Sequence, residues 1–194
     1  MKNSTSNWST LTTNPLEAFP QAFERAQAIK LVMLDVDGVL TNGSLYVGPD
    51  GKEQLKVFDS LDGHGIKLLA AIGVQCAIIS GRQSPMVASR AKELGIEHVF
   101  MAVGNKLETL NTLLKHTGGS LKTTAAMGDD WPDLPVLTRV QLACAPAQAH
   151  SAILDVAHFV THRSGGQGAV RDLCDLILKS QGHYERLLNE AKSA

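Results

Sequence analysis

The chain has too little cysteine for a disulfide framework. Its three cysteines, Cys76, Cys144 and Cys174, lie far apart, form no paired metal-binding spacing, and each sits among apolar residues. They read as buried, reduced thiols of a cytosolic protein. No apolar run reaches the roughly 20 residues that a membrane span needs. Charge of one sign is not in excess either. With 18 Lys and Arg against 19 Asp and Glu, the net charge is −1, which argues against a nucleic-acid binder held by charge. There is no internal repeat. Met1 to Asn14 is rich in Ser, Thr and Asn and lacks the apolar core of a secretory leader. Residues 1–14 are therefore expected to form a loosely packed, flexible tail, and the protein is expected in the cytoplasm. Of the 194 residues, 15–194 suffice for a single domain, burying roughly 70% of its unfolded surface without staples.

The stretch that organises the chain is Leu31-Val32-Met33-Leu34-Asp35-Val36-Asp37-Gly38. A continuous apolar run ending in a turn signal reads as a strand buried on both faces of a parallel sheet. Ligand sites in such sheets lie beyond the carboxyl ends of the strands. A period of two puts Asp35 and Asp37 on one side of the extended chain. Two carboxylates there repel unless a cation lies between them, and Mg2+ suits a carboxylate-plus-phosphate site. The residue types alone also allow a calcium loop or a plain Asp-Gly turn. The first lacks a ligand-rich continuation closed by Glu.

The rest of the chain alternates. Leu16, Phe19 and Phe23 predict a short helix with Pro20 in its first turn. Within residues 42–59, the segments Ser44–Val47 and Gln54–Phe58 flank Gly48-Pro49-Asp50-Gly51, a hairpin signature. A lone hairpin is marginal in water, so it is expected to lie on something else. Helix and strand patterns then follow to the end. Strands are expected at 74–79, 98–101, 124–127, 141–144 and 158–160, and Gly95 and Gly118 close two helices. Val170, Leu173, Cys174, Ile177 and Leu178 mark an amphipathic helix. The fold class is α/β, a Rossmann-like parallel sheet with helices on both faces and a small β-hairpin inserted after the first strand.

Four signals fall on one edge of this sheet: Asp35 with Asp37, Ser80, Lys106, and Asp129 with Asp130 and Asp133. Singly, each has a dull explanation as a turn, a solvated lysine or a helix cap. Together, as Asp35-Val36-Asp37-Gly38-Val39, Ser80, Lys106 and Gly128-Asp129-Asp130-x-x-Asp133, they resemble the haloacid dehalogenase superfamily. The resemblance implies a HAD-like fold and catalysis by Asp35, Asp37, Ser80 and Lys106. It makes Asp35 the nucleophile that forms an aspartyl-phosphate. Asp37 is the general acid and base. Mg2+ is held by the carboxylates of Asp35 and Asp129 and by the carbonyl of Asp37. Ser80 and Lys106 hold the phosphoryl oxygens, while Asp130 and Asp133 orient Lys106 or the metal's waters.

After Asp37 comes only the hairpin, not a cap domain, so the chain is similar to a capless branch of the superfamily. Residues Lys56 to Ile66, Ile79-Ser80-Gly81-Arg82, Asn105-Lys106-Leu107 and Gly165 to Arg171 resemble the 3-deoxy-D-manno-octulosonate 8-phosphate phosphatase family of lipopolysaccharide synthesis. That resemblance implies a small sugar-acid phosphate as substrate, bound by Ser80, Gly81, Arg82 and Lys106, with Arg82 facing its carboxylate. It also implies a homotetramer associated through the hairpins. His64 is expected to be packed or exposed rather than a ligand. Trp131 is a candidate wall of the site, and the glycine-rich stretch Ser164 to Gly168 reads as a linker or, from its glycines, as a mobile flap or a close backbone approach. Three segments depart from the family pattern: Val103-Gly104-Asn105-Lys106, Trp131-Pro132 and Asp59-Ser60-Leu61. The alternatives are a phosphatase of nine-carbon acid sugars, a phosphoacceptor signalling domain and a non-catalytic assembly subunit.

Overall fold

Leu31–Leu34 forms strand β1, and all four of its side chains are buried. The period of two divides them. Val32 and Leu34 join one apolar cluster and Leu31 and Met33 join a second on the opposite face. A strand that buries both faces must sit inside a sheet covered twice. β1 does so at the centre of a six-stranded sheet of order β5 (His98–Phe100), β4 (Gln75–Ile79), β1, β6 (Thr124–Met127), β7 (Leu142–Ala145), β8 (Phe159–Val160), with every pairing parallel. The computed structural model describes residues 19–193. The expected tail at 1–14 and Leu16 of the first expected helix lie outside the described residues.

Helix α1 is Pro20–Ala26, opened by its proline. It buries Ala22 and Ala26, Phe19 and Phe23 pack half-buried against the same core, and Phe19 stands edge-on to Phe159 at 5.6 Å. After β1 comes the hairpin, β2 Tyr46–Val47 and β3 Glu53–Leu55. Its ladder is shorter than the sequence pattern suggests and its register shifts between Tyr46 and Val47. The reason is exposure: Tyr46, Val47 and Leu55 face solvent, so these side chains gain no packing that would extend the pairing. The turn closes through a bond from Gly51 N to the Gly48 carbonyl at 3.0 Å.

The remaining elements follow the expected alternation. They are α2 Ser60–Ala71, β4 Gln75–Ile79, α3 Pro85–Leu94, β5 His98–Phe100, α4 Lys106–Thr117 and β6 Thr124–Met127. Then come a 3-10 turn at Trp131–Asp133, α5 Leu134–Leu137, β7 Leu142–Ala145, α6 Ser151–Leu154, β8 Phe159–Val160 and α7 Ala169–Ser180. Gly95 and Gly118 end α3 and α4 in the left-handed region, with φ of 71° each, where glycine carries no Cβ penalty. The helix expected from Pro132 is split, because the 3-10 turn must carry Asp133 back toward the sheet edge. The last helix, α8 Tyr184–Ser193, lies on the body. Tyr184 and Leu187 pack against the core, and Lys179 Nζ sits 4.8 Å over the Tyr184 ring.

Helices α1, α2, α3 and α7 cover one face of the sheet, and α4, α5 and α6 cover the other. Cys76, Cys144 and Cys174 are buried and free. Among the described residues, no helix is long and apolar enough to cross a membrane.

Candidate active site

Asp35 follows β1 directly, and its N–H still bonds the Met127 carbonyl of β6 at 3.1 Å. The chain then turns sharply. Thr41 N returns to the Val36 carbonyl at 3.0 Å, and Gly38 takes φ of 85°. Only glycine fits there, because a Cβ would fall 1.9 Å from Asp129 Oδ2. The tight turn thus brings the Asp129 carboxylate, at the end of β6, up against the loop that carries Asp35.

Lys106 opens α4 with its side chain buried. Its Nζ lies 2.8 Å from Asp35 Oδ1 and 2.7 Å from Asp133 Oδ1. The other Asp133 oxygen accepts the Asp129 N–H at 3.3 Å. Both oxygens of Asp133 are therefore engaged in holding Lys106 and Asp129. Asp130 is exposed and its side chain makes no hydrogen bond to Lys106.

Carboxylate oxygens of Asp35, Asp129 and Asp133 all lie within 4.8 Å of one another. Burial, with repulsion from Asp133 behind it, pushes the Asp35 carboxyl up to about 6 against the pull of Lys106. Burial, then Asp35, Asp133 and Asp130, push Asp129 to about 7. Burial opposes the charge on Lys106, yet Asp35 and Asp133 outweigh it and raise its pKa. One buried ammonium does not neutralise three clustered carboxylates. The donor set, all oxygen and short of positive charge, fits a hard divalent cation.

Asp37 sits at the other side of the turn. One of its oxygens pairs with Lys56 Nζ, and Oδ2 lies 3.4 Å from Arg82 Nε. Lys56 directly follows the hairpin's return strand, with its side chain 1% exposed, and its Nζ also meets Glu53 Oε1 at 2.8 Å. Ser80 is buried at the carboxyl end of β4, where its Oγ accepts the Arg82 N–H at 3.3 Å. Gly81 follows in the same turn. Ser80, Lys106, Asp35, Asp37 and Asp129 thus lie along one sheet edge.

The Gly165–Gly168 loop is a close backbone contact, not a free flap. A Cβ on Gly165 would fall 1.8 Å from the Gly38 carbonyl oxygen, and one on Gly166 2.6 Å from Asn42 N. Gln148 fastens this contact. Its Nε2 donates to the Gly38 carbonyl at 2.7 Å and its Oε1 accepts the Gly165 N–H at 2.8 Å. Trp131 is 63% exposed, with its Nε1 donating to His150 Nδ1 at 3.3 Å. His64 is exposed on α2. Sequence reasoning missed Glu53 and Gln148, and took Lys56 only as part of a family segment. The one available signal was Lys56 itself, a charge set among Leu55, Val57 and Phe58.

A parallel sheet whose carboxyl edge gathers an aspartate loop, a buried lysine and a cation-ready acidic cluster, with no cap between its first strand and helix, defines a class of α/β hydrolases. The chain belongs to the haloacid dehalogenase-like hydrolase family. That family's model matches residues 98–171. The 3-deoxy-D-manno-octulosonate 8-phosphate phosphatase KdsC of Salmonella typhimurium is 42% identical over 173 residues, 89% of each chain. Among solved structures, a probable YrbI family phosphatase from Pseudomonas syringae is 48% identical with a TM-score of 0.87, covering 89% of this chain and 97% of its own. The 3-deoxy-D-manno-octulosonate 8-phosphate phosphatase of Moraxella catarrhalis, solved with magnesium, phosphate and KDO, is 37% identical with a TM-score of 0.85, covering 88% and 97%.

Proposed function

We propose that this protein is a Mg2+-dependent phosphatase that hydrolyses 3-deoxy-D-manno-octulosonate 8-phosphate to KDO and inorganic phosphate, a step of lipopolysaccharide synthesis. The observation that carries the reading is the relative of that activity, 42% identical across 89% of both chains, joined to an acidic site of matching chemistry. Asp35 and Asp129 would hold Mg2+ by their carboxylates and Asp37 by its carbonyl. Bound there, the ion offsets repulsion between carboxylate and phosphoryl dianion.

In this reading an Asp35 oxygen attacks phosphorus, the ester P–O bond breaks, and Asp37 gives its proton to the departing alkoxide. Asp37 then takes a proton from the water that attacks phosphorus of the aspartyl-phosphate, which frees Asp35 and inorganic phosphate. Lys106 and Ser80 hold the phosphoryl oxygens. Asp133 keeps Lys106 in place, and Asp130 adds negative charge beside Asp129. Arg82 is half exposed, and it is free to leave Asp37 for the substrate carboxylate, which a guanidinium fork matches. Gly81 leaves room for that movement.

The assembly is part of the proposal. Leu45, Tyr46, Val47, Leu55 and Val57 are exposed together on the hairpin, a concentration of apolar surface that a second copy of the chain would cover. A homotetramer built through the hairpins, working in the cytoplasm on a small sugar-acid phosphate, accords with this patch and with the three free cysteines.

Phosphate release from a panel of sugar phosphates with Mg2+ tests the function, comparing wild type with Asp35→Asn and Arg82→Ala. The eight-carbon acid phosphate should be preferred by orders of magnitude, Asp35→Asn should be inert, and Arg82→Ala should lose mainly the preference. Equal turnover of small phosphates, or preference for a nine-carbon acid phosphate, would remove the substrate assignment and leave the chemistry. A single phosphorylation without turnover would mark a phosphoacceptor instead.

A further inference from the structure

The carboxylate of Asp37 has two cationic partners, and they differ in kind. Arg82 is 48% exposed at 3.4 Å from Oδ2, while Lys56 is 1% exposed on the other oxygen. An exposed guanidinium can turn to a ligand. A buried ammonium just past the hairpin's return strand cannot, because moving it would leave Glu53 and Asp37 facing each other without a cation. Glu53 and Lys56 also come from the same short arm, three residues apart, so the pair is presented as a unit. Residues in this hairpin otherwise face solvent: Tyr46, Val47, Leu55 and Val57 are all exposed. The arm therefore buries two charges, and both lie in the chain Glu53–Lys56–Asp37.

We propose that Lys56 is a positioning residue that aims the Asp37 carboxylate at the leaving oxygen, and that Glu53 holds Lys56 for this task. The inference rests on the phosphatase reading above, in which Asp37 is the proton donor. It deepens that reading by giving the hairpin a part in the chemistry. Of the two contacts on Asp37, the one to Arg82 is surrendered when substrate arrives. The contact to Lys56 persists and fixes the direction of the proton. A proton donor out of line loses its share of catalysis, which is about 10²–10⁴-fold, only where the leaving oxygen needs the proton.

The test compares phenyl phosphate with 4-nitrophenyl phosphate, two dianions of similar shape that differ in leaving-group basicity. Neither carries a carboxylate for Arg82. The value of kcat/KM reports the step in which the ester bond breaks. In Lys56→Met, and in the double variant Lys56→Met/Glu53→Gln that spares Glu53 an unpaired buried charge, phenyl phosphate should lose at least ~10-fold more than 4-nitrophenyl phosphate. Lys56→Arg should recover part of that difference, and Glu53→Gln alone should show a weaker form of it. Equal losses on the two esters would mean a merely structural role and would overturn the proposal. So would unchanged selectivity in both Met variants. Wild type that, with Mg2+, releases phosphate from neither the aryl esters nor the eight-carbon acid phosphate would instead overturn the phosphatase reading itself, and this inference with it.

Discussion

Lys106 Nζ lies 2.8 Å from Asp35 Oδ1, across 71 residues of sequence, inside a site that burial has made expensive for charge. With Asp133 at 2.7 Å on its other side, Lys106 is the cation that lets two aspartates coexist there. Lys106→Met removes it without changing the length of the side chain much. Loss of one partner from a buried charge cluster destabilises by roughly 3–5 kcal/mol. We expect a fall of that order in chelator, measured by urea unfolding, partial recovery with Mg2+, and turnover reduced at least ~10²-fold. Stability indifferent to Mg2+ in the variant would contradict the cation-ready cluster.

Asp62 gives a separate dependence on pH. It is 2% exposed, its Oδ1 accepts the Arg171 N–H at 2.8 Å, and its Oδ2 is buried without a partner. Burial pushes its carboxyl up to about 6, although the Arg171 N–H bond and the nearby Gly168 backbone pull the other way. The folded state thus keeps a proton that the unfolded chain releases near its reference value of about 3.9. Stability from this group is full below that value and is lost as pH rises through about 6, by roughly 3 kcal/mol. Asp62→Asn removes the slope. Its stability relative to wild type should improve between about pH 4 and pH 8, by roughly 2–3 kcal/mol on urea midpoints. A difference independent of pH would show that Asp62 ionises normally.

The glycine loop and the nucleophile loop should fail together. Gly165→Ala must push the Gly38 carbonyl aside, since the new Cβ would stand 1.8 Å from its oxygen. Displacement of about 1 Å near a reacting group costs on the order of 10²-fold in rate. Gln148→Leu should produce a milder loss of kcat through the same contact, with KM little changed. Wild-type kcat in Gly165→Ala would disprove the coupling of the two loops.

The proposed assembly through the hairpin should yield to charge placed there. Val47→Lys together with Leu55→Lys places two cations on the exposed apolar surface, and light scattering should then show a smaller particle than wild type. A particle of unchanged mass would assign the interface to another surface.

Much of this was legible in the sequence for stated physical reasons. β1 could be read because a strand buried on both faces is apolar throughout, and Gly95 and Gly118 because only glycine relaxes into the left-handed cap. The hairpin's true length was not legible, since its pairing depends on what packs against it. Lys56, 19 residues from Asp37, and Gln148, 110 residues from Gly38, were hidden for a different reason. Their partners are set by the fold and not by local pattern. Asp133 was legible as part of a motif, but its double engagement with Lys106 and Asp129 N–H required coordinates.

The most direct measurement traps the phosphoryl group on the chain. Wild type turning over the eight-carbon acid phosphate with Mg2+ is quenched into borohydride, which reduces an aspartyl-phosphate to homoserine, and the peptides are sequenced by mass spectrometry. The account predicts homoserine at position 35 alone, absent without Mg2+ or without substrate. Turnover that leaves Asp35 unmodified, or homoserine at Asp37 or Asp129, would contradict it.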